Sequence, residues 1–226
     1  MKMVRTVLLV GMAVMMAFSS AQAGLYAGFQ IGPNFPMSSG ATVTVFNRDF
    51  NTGNLSFATG LMVGAQVGFD FLGQSDSFPA WTKYITLAMD YQYNSYYVNR
   101  KTVFVNSGGF FGYANIGGAS GSQNALSFLA IGKLPLMESQ DFPQGRLFPY
   151  VGVGPAVVWT QIGDSSSTDI GIVVEPGIRY MFTPNISGDL AYRFRYCNPT
   201  FSGLDNFKVA FNSSNSTIVF RVNYHF

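Results

Sequence analysis

Thr217-Ile218-Val219-Phe220-Arg221-Val222-Asn223-Tyr224-His225-Phe226 is the last stretch of the sequence. Its even-numbered residues are all apolar or aromatic, while Arg221, Asn223 and His225 hold odd positions. Successive side chains of a strand point to opposite faces, so this segment has one greasy face and one polar face. A strand tipped by Tyr224 and Phe226 suits a sheet whose outside meets lipid. Phe220, Val222, Tyr224 and Phe226 are therefore the candidate lipid face and the candidate assembly signal, and Arg221 turns the other way.

The opposite end of the sequence sets the compartment. Lys2 and Arg5 precede an uncharged apolar run from Thr6 to Phe18, and Ser19-Ser20-Ala21-Gln22-Ala23 supplies small residues in an A-x-A arrangement. This is the pattern of a secretory signal peptide, with cleavage expected after Ala23. The run is too short to cross ~30 Å of hydrocarbon, which takes roughly 20 residues. The expected division is residues 1–23 as leader and 24–226 as one domain.

From Gly24 onward there is no apolar segment long enough for a spanning helix. Yet charged residues make up 11% of the sequence and aromatics 16%, with a mean hydropathy of +0.20. Soluble domains carry roughly 25% charge. Export, an oily composition and no spanning helix together predict a closed β-barrel, the other structure that satisfies every backbone group inside lipid. Without Lys2 and Arg5 the chain holds 11 basic and 11 acidic residues, a balance that argues against nucleic acid as a partner. Cys197 is the single cysteine, so no intramolecular disulfide is expected.

Alternation predicts eight antiparallel strands in an up-and-down meander: Leu25 to about Ile31, Leu61 to Phe71, Tyr84 to Tyr97, Asn124 to Leu134, Leu147 to Trp159, Ile170 to Phe182, Ile186 to Tyr196, and the terminal strand. The fourth and fifth alternate least cleanly, though Gly152, Gly154 and Ala156 give the fifth a face of small residues. Eight is an even number, as single-chain bacterial barrels require. The apolar faces carry too many Phe, Tyr and Val to fill so narrow an interior, so they are expected to face outward. Tyr93, Trp159 and Tyr196 toward one end, and Phe69, Phe71, Phe182, Tyr224 and Phe226 toward the other, are candidates for two interfacial girdles. Pro155 and Pro176 lack an amide donor in strand interiors and predict a bulge or a shared break in the ladder.

Three stretches carry a family resemblance: Pro149-Tyr150-Val151-Gly152-Val153-Gly154; the hairpin from Glu175-Pro176-Gly177-Ile178-Arg179-Tyr180 through Asp189-Leu190-Ala191-Tyr192-Arg193-Phe194; and the terminal strand. With them the chain resembles the eight-stranded outer-membrane β-barrel family that includes the OmpA transmembrane domain and the opacity-type surface proteins. The resemblance implies both termini at the periplasm and extracellular connections at Pro33 to Gly60, Val98 to Gln123, Gln161 to Asp169, and Cys197 to Asn215. It implies outer-membrane lipid, lipopolysaccharide and the barrel assembly machinery as partners, with a monomeric barrel. With no peptidoglycan-binding segment after Phe226, wall tethering is not expected. The periplasmic segments Leu72 to Lys83 and Pro135 to Arg146 are longer than the short turns that resemblance implies. Gly/Ser bias around Gly117 to Ser122 predicts a mobile loop.

The inward faces gather Asp90, Glu175 and Asp189, with Asp70, against Arg179, Arg193, Arg195 and Arg221. A three-residue loop at Thr183 to Asn185 places Arg179 opposite Asp189 and Glu175 opposite Arg193, two complementary pairs in one hairpin. They are read as a polar plug, and alternatively as the gate of a narrow passive channel. His225, the one histidine, has a structural role in this reading. With no base beside a nucleophile and no metal-ligand spacing, neither catalysis, a metal nor a cofactor is expected. Arg48, Asp49, Arg100, Lys101 and Lys208, interleaved with Phe46, Phe50, Phe104, Phe110, Phe111, Phe201 and Phe207, make the loops a candidate surface for adhesion or for a host ligand.

Overall fold

A computed structural model describes residues 24–45, 48–71, 80–107, 110–116, 118–140, 142, 144–163, 165–202 and 207–226. The expected leader, residues 1–23, and Phe46 lie outside the described residues. Eight long strands form the wall: β1 (Gly24–Pro36), β2 (Gly60–Asp70), β3 (Ile85–Val98), β4 (Ala119–Lys133), β5 (Leu147–Ile162), β6 (Ser165–Thr183), β7 (Ile186–Cys197) and β8 (Ser213–His225). Each pairs antiparallel with its neighbour in sequence, and β8 returns to β1, with Ala27 opposite Tyr224 and Ile31 opposite Phe220. The sheet is thus a closed eight-stranded barrel, with the terminal strand as its last stave.

The expected faces hold. Leu190 and Phe220 are each 53% exposed and Val222 62%, whereas Glu175 is 0%, Arg193 1% and Arg221 2% exposed. Closure satisfies the backbone of every stave, so the outer surface can be apolar over its whole circumference.

The β6–β7 hairpin keeps the expected register, with Arg179 opposite Asp189. Its turn is shorter than expected: Thr183 pairs with Ile186, and an irregularity between Met181 and Thr183 takes up the difference. The Thr183 hydroxyl accepts the Ile186 amide at 3.0 Å. Neither proline creates a bulge. Pairing of β5 with β6 continues through Pro155 opposite Ile172 and Val151 opposite Pro176. Ladder pairs are instead missing at Gly154 and Pro155 toward β4, and at Glu175 and Pro176 toward β7, with the register unchanged across each gap. The two gaps lie on opposite sides of the β5–β6 pair, so the break is not shared. Each follows from a missing N–H.

At one end of the barrel, the end carrying the longer loops, the strands continue past the expected limits. Gln161 to Asp169 is not a loop, because β5 and β6 run on to the pair Ile162 and Ser165. Residues 119–122 belong to β4, in place of the expected mobile segment. Gly121 pairs with Tyr96, whose ring lies so close over it that a Cβ there would collide with the ring carbons. The first and last long connections also form strands. Ser39–Val45 pairs with Arg48–Leu55 and with Phe207–Phe211, which pairs with Thr200–Ser202. Lys101–Ser107 pairs with Phe110–Ile116 in a separate hairpin.

The opposite end holds the start of β1 and the end of β8, where the Phe226 amide donates to the Leu25 carbonyl at 2.9 Å. A 3-10 turn, Ala80–Tyr84, leads into β3. The long connection from β4 to β5 folds on itself: Leu136 bridges to Leu147, and Ser139 and Phe142 exchange backbone hydrogen bonds. Arg146 lies over the rings of Phe142 and Tyr180, at 5.2 and 4.9 Å, and donates to the Met181 carbonyl at 3.3 Å. This internal structure accounts for the extra length of that connection.

Candidate functional site

Inward positions on all eight staves project into a lumen too narrow for a wide channel. Because the lumen is enclosed, its polar groups must find partners across it as well as along the wall. The β6–β7 hairpin begins this network. Arg179 makes a two-point contact with Asp189, Nε to Oδ1 at 2.9 Å and Nη2 to Oδ2 at 3.1 Å. Arg193 donates from Nε to Glu175 Oε2. Both pairs join neighbours in the register.

Arg221 and Asp189 are also register neighbours, and the remaining contacts reach past the nearest stave. Arg193 on β7 reaches Asp90 on β3 through Nη1 at 2.6 Å and Nη2 at 3.2 Å. Arg221 on β8 donates to Glu175 at 3.0 Å and to Asp189 at 2.9 Å. Arg179 on β6 lies 3.7 Å from Asp70 on β2, and Asp70 also holds Lys133 of β4. Signs therefore alternate along one continuous chain: Lys133, Asp70, Arg179, Asp189, Arg221, Glu175, Arg193, Asp90. The β3–β7 and β2–β6 contacts join diametrically opposed staves.

Neutral groups complete the coordination. Gln30 donates to Asp90 at 2.6 Å and accepts from Arg221 Nη2 at 2.8 Å. Tyr150 donates to Glu175 at 3.1 Å, Asn223 donates to Asp189 at 3.0 Å, and Thr86 donates to Asp70. The Tyr26 ring lies under the Arg179 guanidinium, 4.4 Å from centroid to Cζ. Tyr26 and Tyr150 lie across Gly68 and Gly177 of the adjacent staves, where a Cβ would collide with each ring. These glycines leave the aromatic rings room to lie flat inside the wall.

Of the residues expected in the network, Asp90, Glu175, Arg179, Asp189, Arg193 and Arg221 share ion pairs. Arg195 points into the same lumen, 2% exposed, but makes its contacts with Gln92 Oε1 at 3.4 Å and Gln123 Oε1 at 2.9 Å. Lys133 was not expected there. The fourth strand hides it because Leu129 and Ile131 also point inward and blur the alternation.

At the end that holds the start of β1 and the end of β8, a cavity of about 420 Å³ is lined by Asp70, Lys133, Arg179, His225, Phe226 and the β4–β5 connection. His225 is tied there by a 2.9 Å contact between Nε2 and Ser187 Oγ. At the other end Phe201 is buried with Leu55, and Phe57 and Ile162 pack against them. Phe201 is therefore part of an apolar cluster and not of an exposed surface. Among the other loop candidates Arg100 is exposed. The side chains of Arg48, Asp49, Phe50, Lys101, Phe104, Phe110, Phe111, Phe207 and Lys208 lie outside the described residues.

The outer face is continuous and apolar, with Phe220, Val222, Tyr224 and Phe226 all exposed on the terminal strand. Phe182 and Tyr224 are exposed near the terminal end, and Tyr93 near the loop end. No family model matches the sequence, and no curated protein sequence matches it. Among solved structures, the chain is similar to the outer membrane protein OprG from Pseudomonas aeruginosa: 14% identity, 90% of this chain, 96% of that one, TM-score 0.58. The fold is that of the eight-stranded outer-membrane β-barrels. The chain is also similar to Neisserial surface protein A, at 16% identity over 86% of this chain and 96% of that one, with a TM-score of 0.43. A closed barrel of this fold with an apolar outer face places the chain in the bacterial outer membrane.

Proposed function

We propose that this outer-membrane barrel is a structural and surface-interaction protein whose lumen is closed by its charge network. The observation that carries this reading is the alternating chain from Lys133 to Asp90, which ties opposed staves together through buried ion pairs. A low-dielectric interior makes each such contact costly to open singly, because the partner left behind stays buried and charged. Side chains held this way leave little freedom for solute passage. The paired strands at the loop end supply a framework on which a host or surface ligand could be met. Lipopolysaccharide around the belt and the assembly machinery at Phe220, Val222, Tyr224 and Phe226 are the partners this reading requires, and the barrel acts as a monomer.

Purified protein in planar lipid bilayers tests this reading. Closed barrels give a silent baseline. Regular single-channel steps whose size changes in Glu175→Gln or Arg193→Gln would instead identify a narrow passive channel gated by the network.

A further inference from the structure

We propose that the loop-end half of the lumen holds a small monovalent anion at Arg195. Four carboxylates and four cations form the alternating chain, and Arg195 is a fifth cation. Among the described residues it takes part in no ion pair, although it is 2% exposed. Asp90, the acid of the chain on the facing stave β3, is already held by both Arg193 and Gln30. A guanidinium does not shed its proton, so this charge stays. An isolated charge in such surroundings is strongly unfavourable unless a counter-charge accompanies it.

The groups around Arg195 leave donors unused. Gln92 and Gln123 turn their amide oxygens to the guanidinium, which leaves their amide hydrogens pointing elsewhere. Those of Gln123 go to Thr160 and Ser213. Gln92 Nε2 has no partner among the described residues, and neither do Arg195 Nε and Ser127 Oγ, all buried. Gln92 lies opposite Ala125 on β4, and Ser127, the next inward residue of that strand, lies between Ala156 on β5 and the acid Asp90 on β3, which leaves Gln92 and Arg195 as the donors of the site. Neighbouring inward positions on adjacent staves lie within side-chain reach, and the inward residue opposite Gln92 is the small Ala125. Two unpartnered donors, the neutral Gln92 Nε2 and the cationic Arg195 Nε, suit an ion of halide size and single charge. A doubly charged oxyanion would exchange one unpaired charge for another.

Bromide is the probe. Crystals of the full barrel grown in bromide are expected to give an anomalous peak beside Arg195 Nε. The absence of that peak, with Arg195 ordered and only water density in its place, would overturn the site. The second measurement is the thermal unfolding midpoint in detergent at constant ionic strength, with bromide replacing gluconate. The wild-type midpoint is expected to rise saturably with bromide, and the rise to vanish in Gln92→Glu, whose carboxylate supplies the missing counter-charge internally. A wild-type midpoint indifferent to bromide, or an equal rise in Gln92→Glu, would contradict the proposal.

Discussion

Arg193 joins the two parts of the network that differ most in how far sequence could reveal them. Its bond to Glu175 follows from hairpin register, because both residues lie near one turn. Its bond to Asp90 crosses the lumen and depends on barrel closure, which no local pattern encodes. Arg193→Ala leaves both carboxylates short of a cation and is expected to cost about 3–5 kcal/mol, as breaking a buried pair does. Adding Glu175→Ala removes one of those stranded acids, so the double variant should cost little more than Arg193→Ala alone. Urea unfolding of the four proteins measures the coupling, and strictly additive losses would remove the pairing. Asp70 and Arg179 repeat the pattern, since β2 and β6 also face each other across the barrel. Lys133 shows the other limit: Ile131 shares its inward face by alternation, with room from Gly152 opposite, 3.2 Å from where a glycine Cβ would be, and the polar pattern around Lys133 is blurred.

At the scale of elements, strands with one polar and one apolar face were legible in place and facing, β2, β3 and β7 to within a residue, while β1 and β6 run several residues further toward the loop end. Strands whose inward face mixes Ala125, Leu129 and Ile131 with polar groups were less so. The loop-end strands were not legible, because Ser39–Val45 pairs with Phe207–Phe211, a partner far away in sequence and flanked by Gly, Ser and Asn. The β4–β5 connection is an element of its own kind, closed by Arg146 against two rings and a carbonyl. Arg146→Ala should loosen it by about 0.5–1 kcal/mol for each cation–π interaction removed. Limited proteolysis should then cut within Pro135 to Arg146 faster than in the wild type, while the barrel's unfolding midpoint stays in place. Equal cleavage rates would mean that Arg146 does not hold this connection.

The whole molecule is inside out relative to a soluble barrel. The charges at mid-height are enclosed and the outer face is made of Leu, Val, Phe and Tyr side chains, which is stable only when the surroundings are apolar there. Sequence alternation anticipated this inversion, since eight staves have too little interior for so many large side chains. The terminal strand carries the same assignment in miniature, Phe220 and Val222 outside, Arg221 and Asn223 within. The most direct test is a charge on the outer face. Leu190→Arg, measured by reversible unfolding in lipid, is predicted to destabilise the barrel by about 2–4 kcal/mol, the cost of arginine near the bilayer midplane. An unchanged unfolding energy would contradict the outward placement of Leu190 and, with it, the enclosed charge network.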